Sequence, residues 1–145
     1  METLFAVLHV TAAVFIIGPM AILPMTGLRA VRAGNAEQVT SIARSTRLVS
    51  WLSLLVALIG FALVSFVDPE DKLTFGTPWL LASIILYTVA VTVSLSVVAP
   101  LLGRAGRHLT AASTPPSNVY GRIAGSSGLV TLLLVAVVVL MVWRP

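Results

Sequence analysis

Four long apolar segments, separated by short charged ones, dominate the pattern of the chain. The apolar segments cover about residues 3–23, 48–67, 79–101 and 123–143, and none contains Asp, Glu, Lys or Arg. Each has about the 20 residues that a helix needs to cross ~30 Å of hydrocarbon at 1.5 Å per residue. The pattern predicts an all-α, polytopic membrane protein, an antiparallel bundle of four transmembrane helices in one domain over residues 1–145.

The composition supports a membrane protein and narrows its chemistry. Of the 145 residues, 58% are hydrophobic and 10% are charged, and the mean hydropathy is +1.04. Such a chain has too little polar surface for a water-soluble globule. The absence of cysteine excludes disulfides, thiol catalysis and thiolate metal sites. With four helices using most of the length, we expect no separate soluble catalytic domain.

The charges are distributed unevenly between the gaps. The net charge is +4, yet the gap after the second segment, Asp68–Lys72, is net acidic. The first and third gaps hold seven of the nine basic residues: Arg29, Arg32, Arg44, Arg47, Arg104, Arg107 and Arg122. An excess of arginine in alternate loops predicts that these long loops are cytoplasmic and that both termini lie outside. We therefore predict a multi-pass protein of a bacterial inner (plasma) membrane. Its arginines are expected to contact the phosphates of anionic lipids, and not nucleic acid.

The first cytoplasmic loop and its flanks carry further local signals. Gly18-Pro19 and Pro24 predict a kink or an interruption in the first helix. From Ala36 to Arg47, apolar residues keep a helical spacing between arginines and polar residues. This predicts a short amphipathic helix on the membrane surface. Tryptophans are expected at the two interfaces, Trp51 at the inner one and two at the outer one: Trp79 and Trp143.

Small and hydroxylated residues predict how the helices pack. Gly121, Gly125 and Gly128 place small residues on one side of the fourth helix, where backbones can approach closely in lipid. This packing is expected within the bundle or, as the alternative, against a second copy. In the third helix, hydroxyl residues four positions apart form a stripe that predicts the face turned toward the bundle interior: Thr88, Thr92 and Ser96.

His9 is the strongest chemical lead, because an ionisable residue inside a membrane segment is costly and marks a functional site by default. With the N-terminus outside, His9 lies at a depth similar to that of Tyr87, and the same layer holds Gly60 and Ala136. This predicts a pocket open toward the outer leaflet. The favoured interpretation of His9 is a neutral imidazole, hydrogen-bonded to Tyr87 or a serine, that helps to hold the bundle together. The alternatives are binding of haem, a porphyrin, a quinone or a metal at His9, and a role in proton handling.

The remaining residues limit what such a pocket can bind. One histidine with distant methionines provides too few ligands for a typical copper site, whereas haem can be held by a single axial histidine. The other histidine, His108, lies in a cytoplasmic loop away from His9. The segments contain no carboxylate to act as acid or base, and there is no phosphate-binding glycine loop. Catalysis is therefore the less favoured interpretation; the cofactor stays unknown, with haem b as the candidate.

The run Leu8–Gly18, with Leu-His at its start and a glycine nine residues after the histidine, resembles the first-helix signature of a group of small bacterial membrane proteins. The group includes an uncharacterised family of predicted four-helix integral membrane proteins, common in actinobacteria, which the chain resembles over nearly all its length. More distantly, it is similar to copper-resistance D proteins and to protoporphyrinogen oxidase of the HemJ type. The resemblance implies that His9 matches the haem ligand of that type. The third helix lacks the lysine of that type and Ile17-Gly18-Pro19 replaces its Trp-Gly-Gly turn, so the resemblance does not extend to oxidase activity.

Three functions are consistent with these patterns. The first is an accessory or interaction subunit, without catalysis of its own, that joins a larger membrane complex or forms a homo-oligomer. The second is the binding of haem, a porphyrin or another cofactor at His9. The third is transport of a small solute or copper. Four-helix multidrug transporters rely on a membrane glutamate that this chain lacks, which leaves passage along the hydroxyl stripe of the third helix. We favour the interaction subunit.

Overall fold

The computed structural model describes residues 2–66 and 76–144, and all regular structure in this part of the chain is helical. Four helices, numbered first to fourth along the chain, are long and apolar enough to cross a membrane: Thr3–Arg32, Ala36–Phe66, Pro78–Thr110 and Ser117–Trp143. The predicted all-α bundle of four spanning helices is confirmed. The predicted end of the second segment at Val67 and the acidic gap Asp68–Lys72 lie outside the described residues.

All four helices extend beyond the predicted apolar segments toward one end of the bundle. This is called the basic end, because the arginine-rich gaps lie there, and the opposite end is the far end. Residues 36–47 continue into the second helix without a break, so the prediction of a separate surface helix is wrong. The apolar positions of this stretch, Val39, Ile42 and Ala43, are buried in the core instead.

The densest packing lies in the half of the bundle near the basic end. Fully buried large side chains are concentrated there: Met20, Val31, Val39, Leu102 and Ile123. Toward the far end, the first helix has no buried residue between Thr3 and Pro19 and packs mainly on the second helix. In lipid, whose chains are equally apolar, exposed apolar side chains cost little, so a membrane helix tolerates such sparse burial.

Two short π-helical segments, each ending two residues before a proline, interrupt the α-helical geometry. Ala13–Ile17 precedes Pro19 in the first helix, and Ser94–Val98 precedes Pro100 in the third. Proline has no N–H and its ring clashes with the carbonyl of the preceding turn, so a wider turn accommodates it. The prolines therefore perturb the first helix without ending it, and Pro24 lies inside continuous helix.

Two glycines that the sequence pattern did not single out allow close helix contacts near the basic end. A Cβ at Gly27 would lie 2.8 Å from Leu102 and 3.1 Å from Ile42, so the first, second and third helices meet at one level. A Cβ at Gly106 would lie 2.7 Å from the hydroxyl of Thr40. Because small residues let backbones approach in membrane bundles, these two positions set the spacing of the core.

Candidate functional site

The second helix carries a buried polar face. Thr46, Ser50 and Ser53 are completely buried, and Gly60 continues this face toward the far end. Positions three, four and seven residues apart lie on one side of a helix, so these four residues form one stripe. The hydroxyls of Ser50 and Ser53 bond to helix carbonyls and to hydroxyls of the third helix, whereas the buried Thr46 hydroxyl has no hydrogen-bond partner among the described residues. No prediction above covers this face, although its spacing of four, three and seven residues is a helical pattern that is visible in the sequence.

Two hydroxyl pairs join this face to the third helix. Ser50 Oγ lies 2.8 Å from Ser94 Oγ, and Ser53 Oγ lies 2.8 Å from the phenol oxygen of Tyr87. Ser53 donates its proton to the Ser50 carbonyl oxygen at 2.7 Å. A hydroxyl has only one proton, so Tyr87 must donate to Ser53. The phenol oxygen of Tyr87 is left with lone pairs alone and can only accept a further hydrogen bond.

His9 packs against the same face from the first helix. Its Nδ1 lies 3.1 Å from the carbonyl oxygen of Val56, and because a carbonyl can only accept, Nδ1 carries the proton and donates it. In the neutral imidazole, Nε2 therefore bears a lone pair. The ring occupies the space above Gly60, where a Cβ would lie 2.8 Å from His9 Cε1. The absence of a side chain at Gly60 thus lets the imidazole reach the backbone.

Of the four residues predicted to line a pocket, three lie on or against the polar face of the second helix. His9 contacts Gly60 directly, and Tyr87 bonds to Ser53 two turns away. Ala136 is half-buried on the fourth helix. The prediction of open space beside a small residue is wrong at Gly60, because the His9 ring fills that space. The group that stays free to bind is the Nε2 edge of the half-buried His9 ring.

The ligand set around His9 consists of one imidazole. Among the described residues, no group of three His, Cys, Asp or Glu side chains could hold a metal ion. His108 lies in the last turn of the third helix at the basic end, where its Nδ1 is 3.4 Å from Ser113 Oγ. A backbone carbonyl orients His9 in the same way that ligating histidines are commonly oriented. The arrangement fits a group that takes one axial protein ligand and does not fit a multi-histidine metal site.

The hydroxyl stripe of the third helix faces away from the bundle, contrary to the prediction. Thr88, Thr92 and Ser96 are all exposed, and each donates to the carbonyl four residues earlier, at 2.7, 2.8 and 2.5 Å. A hydroxyl that is satisfied by its own helix does not need a polar interior. The buried side of this helix carries Ser83 and Ser94 instead. The stripe therefore lines no passage within the described bundle, which removes the observation behind the transport hypothesis.

The small residues of the fourth helix also face outward. A Cβ at Gly121, Gly125 or Gly128 would meet no atom within 4 Å, and Gly121 and Gly125 are exposed. The expected packing of these glycines within the bundle is therefore wrong, and their contact with a second copy stays a prediction. The fourth helix meets the first helix through another side, where Thr131 Oγ1 lies 3.1 Å from the Ala21 carbonyl oxygen and 3.0 Å from that of Ser127, so that its proton is shared between the two acceptors.

The arginines near the basic end are turned outward. All six predicted to contact lipid phosphate are exposed: Arg29, Arg32, Arg44, Arg47, Arg104 and Arg107. Exposure leaves their guanidinium groups able to reach phosphate, but the contact itself stays a prediction. The predicted interface tryptophan Trp51 follows Arg47 by one helical turn on the way to the far end, and it is 58% exposed.

Comparison with known proteins gives a family for the chain. The family model described as "Predicted integral membrane protein (DUF2269)" matches residues 3–145. No curated protein and no solved structure matches the chain. The matched range includes all four helices and every residue of the polar face. The similarity to copper-resistance D and HemJ-type proteins stays an expectation from the first helix.

Proposed function

Since the chain belongs to the DUF2269 family of predicted integral membrane proteins, we propose that it is an interaction subunit without catalysis of its own. It pairs with a second copy or with a larger assembly in a bacterial inner membrane, with its arginine-rich loops in the cytoplasm. The observation that carries this proposal is the open glycine face of the fourth helix, which consists of Gly121, Gly125 and Gly128. In lipid, close backbone packing is a main source of helix association, and small residues four positions apart permit it.

The rest of the fourth helix supports contact along the same side. Beyond the glycines, Leu129, Leu132 and Val135 are 47%, 70% and 53% exposed. They continue the face as a ridge of larger apolar side chains toward the far end. A partner helix that crosses at the glycines would pack against this ridge as well. Acid–base catalysis finds no support here, because no carboxylate lies on the four predicted apolar segments.

Single cysteines provide the test, because the natural chain contains none. Gly125→Cys places a thiol on the glycine face, and Leu58→Cys places one on an exposed position of the second helix that is 62% exposed. Each variant, in native membranes, is labelled with a benzophenone maleimide and irradiated. We expect protein adducts from position 125 and none from position 58. An adduct of twice the chain mass indicates a second copy, and other masses indicate a larger complex.

The outcome that contradicts the proposal is equally specific. If neither position gives a protein adduct, lipid covers the glycine face and the chain acts alone. If both positions give the same adducts, the cross-links report random encounters and not an interface. Gly125→Ile serves as a further check, since a large side chain at the crossing point should abolish adducts from a label placed at Gly121→Cys.

Cofactor binding at His9 is the second candidate function, and the hydrogen bond from Nδ1 to the Val56 carbonyl favours it. This bond fixes the tautomer and leaves the Nε2 lone pair free, which suits a metal centre or a hydrogen-bond donor. Oxidised quinones offer only acceptor oxygens, so the geometry disfavours them. His9 would hold a haem b, and the haem would supply one-electron chemistry when bound. The resemblance of the first helix to HemJ-type proteins points the same way.

Absorption spectra of the purified protein, oxidised and dithionite-reduced, test this second candidate. We expect a Soret band close to stoichiometric with protein, lost in His9→Ala and retained in His108→Ala. The His108 variant is a matched control because it removes the other imidazole at the opposite end of the bundle. A protein without a Soret band or bound metal, or a band that survives His9→Ala, would show that His9 only packs.

A further inference from the structure

The exposed side of the second helix has a chemical order of its own. Starting near the basic end, Arg44 and Arg47 are exposed, Trp51 follows one turn later, and leucines continue toward the far end. Trp51, Leu55 and Leu58 are 58%, 50% and 62% exposed. Spacings of three, four, four and three residues keep all five on one side of the helix. This side, called the Arg-Trp-Leu face, lies opposite the buried polar face.

The arginines of this face lie nearer the far end of the bundle than those of the third helix. Gly27 brings Ile42 and Leu102 to one level, as its contacts with both side chains show. From this level, Arg44 and Arg47 lie two and five residues toward the far end. Arg104 and Arg107 lie two and five residues in the other direction. At 1.5 Å per residue, Arg44 lies about 6 Å nearer the far end than Arg104. By the same measure, Arg47 lies about 15 Å nearer the far end than Arg107.

A guanidinium group at this depth needs a counter-charge. The third-helix arginines can remain hydrated beyond the bilayer, whereas the charge of Arg47 sits one turn from Trp51, a residue type that prefers the interfacial layer. Within residues 2–66 and 76–144, no ion pair joins Arg44 or Arg47 to a carboxylate. Lipid phosphate is the anion found at this level of a membrane, and arginine binds phosphate oxygens with paired N–H donors.

We propose that the Arg-Trp-Leu face binds an anionic glycerophospholipid. Its phosphodiester lies between Arg44 and Arg47, its ester region lies beside the Trp51 indole, and one acyl chain runs along Leu55 and Leu58. Along the helix, the guanidinium groups, the indole and the leucines follow in the same order as the phosphate, the esters and the acyl chain along such a lipid. Charge selects the occupant, because a zwitterionic lipid would place its ammonium group near two guanidinium groups.

The third helix provides a natural comparison. Arg104 and Arg107 have the same three-residue spacing as Arg44 and Arg47, but their helix side continues toward the far end with the hydroxyls of Thr92 and Ser96. It therefore offers phosphate-binding groups without the aromatic and leucine surface below them. If charge alone decided lipid binding, the two pairs of arginines would behave alike. The proposal requires that they differ.

Fluorescence of Trp51 tests the site directly. The full chain carrying Trp79→Phe and Trp143→Phe, so that Trp51 is the sole tryptophan, is reconstituted in phosphatidylcholine vesicles. Brominated phosphatidylglycerol or brominated phosphatidylcholine is then added at equal, low mole fraction. Bromine quenches tryptophan only at short range, so we expect phosphatidylglycerol to quench Trp51 more strongly. In Arg44→Gln/Arg47→Gln the preference should fall about twenty-five-fold at low salt, a factor of about five for each arginine.

The matched control is Arg104→Gln/Arg107→Gln, which should keep the preference at Trp51 within about twofold. Equal quenching by the two brominated lipids in the parent protein would overturn the proposal. So would a preference that survives Arg44→Gln/Arg47→Gln, or one that both double variants reduce equally, because it would then reflect net charge. Circular dichroism of each variant confirms that the helices are intact before quenching is compared.

Discussion

Replacing Gly60 by alanine tests whether His9 is held in place by a close fit to the second helix. The new Cβ would lie 2.8 Å from His9 Cε1 and 3.2 Å from Nδ1, so the ring or the first helix must move. Overpacking of this kind costs about 1 to 3 kcal/mol, and loss of the hydrogen bond to Val56 adds about 0.6 kcal/mol in a membrane. The higher helix propensity of alanine returns about 1 kcal/mol. We expect the free energy of unfolding to fall by about 1 to 3 kcal/mol.

Unfolding by SDS in mixed micelles, followed by circular dichroism, measures this change. Gly18→Ala is the matched control, because a Cβ at Gly18 meets no atom within 4 Å. In the double variant His9→Ala/Gly60→Ala the clash is absent, so this protein should be no less stable than His9→Ala alone. The close fit between the His9 ring and Gly60 is refuted if Gly60→Ala and Gly18→Ala have the same free energy of unfolding. The fit is also refuted if the stability lost in His9→Ala/Gly60→Ala equals the sum of the losses in the two single variants.

Two other contacts give further predictions. Tyr87→Phe removes the hydrogen bond to Ser53 and should lower the free energy of unfolding by about 0.6 kcal/mol. Thr88→Val, on the exposed side of the same helix, should change the free energy of unfolding by less. Equal effects of the two variants in SDS unfolding would contradict the assignment of the two faces. Gly106→Ala should destabilise by about 1 to 3 kcal/mol because its Cβ would lie 2.7 Å from the Thr40 hydroxyl, and Thr40→Ala should restore most of the loss, as measured by the thermal midpoint of helix content.

The four spanning helices could be predicted because hydrophobic length is a property of the sequence alone. The orientation of each helix about its axis could not, and the glycines show why. Gly121 and Gly125 have the four-residue spacing of a packing motif, yet both face outward in the single chain. Gly27 and Gly106 have no glycine four residues away, yet each meets a side chain of another helix. Spacing along one helix carries no information about the surface that faces it.

The orientation of the hydroxyl stripe on the third helix could not be predicted for a related reason. In lipid, Thr92 satisfies its hydroxyl with a carbonyl of its own helix, so exposure costs it little. Other hydroxyls do bond between helices, such as Ser50 to Ser94 and Ser53 to Tyr87, and nothing in the sequence distinguishes the two kinds. His9 could be identified from sequence because an ionisable side chain inside a membrane segment is costly, and its bond to Val56 on the second helix satisfies it.

The concentration of packing at the basic end has a consequence for the assembly of the chain. Each hairpin, residues 2–66 and residues 76–144, turns at the basic end, and the tight contacts between the two hairpins lie there too, as at Gly27 and Gly106. The second helix ends at Phe66 and the third begins at Pro78, both at the far end, so the covalent link between the hairpins starts and finishes away from this shared core. Two fragments translated separately and divided within that link would each insert as a complete hairpin. Recognition between them would then depend on their arginine-bearing halves and not on the covalent connection.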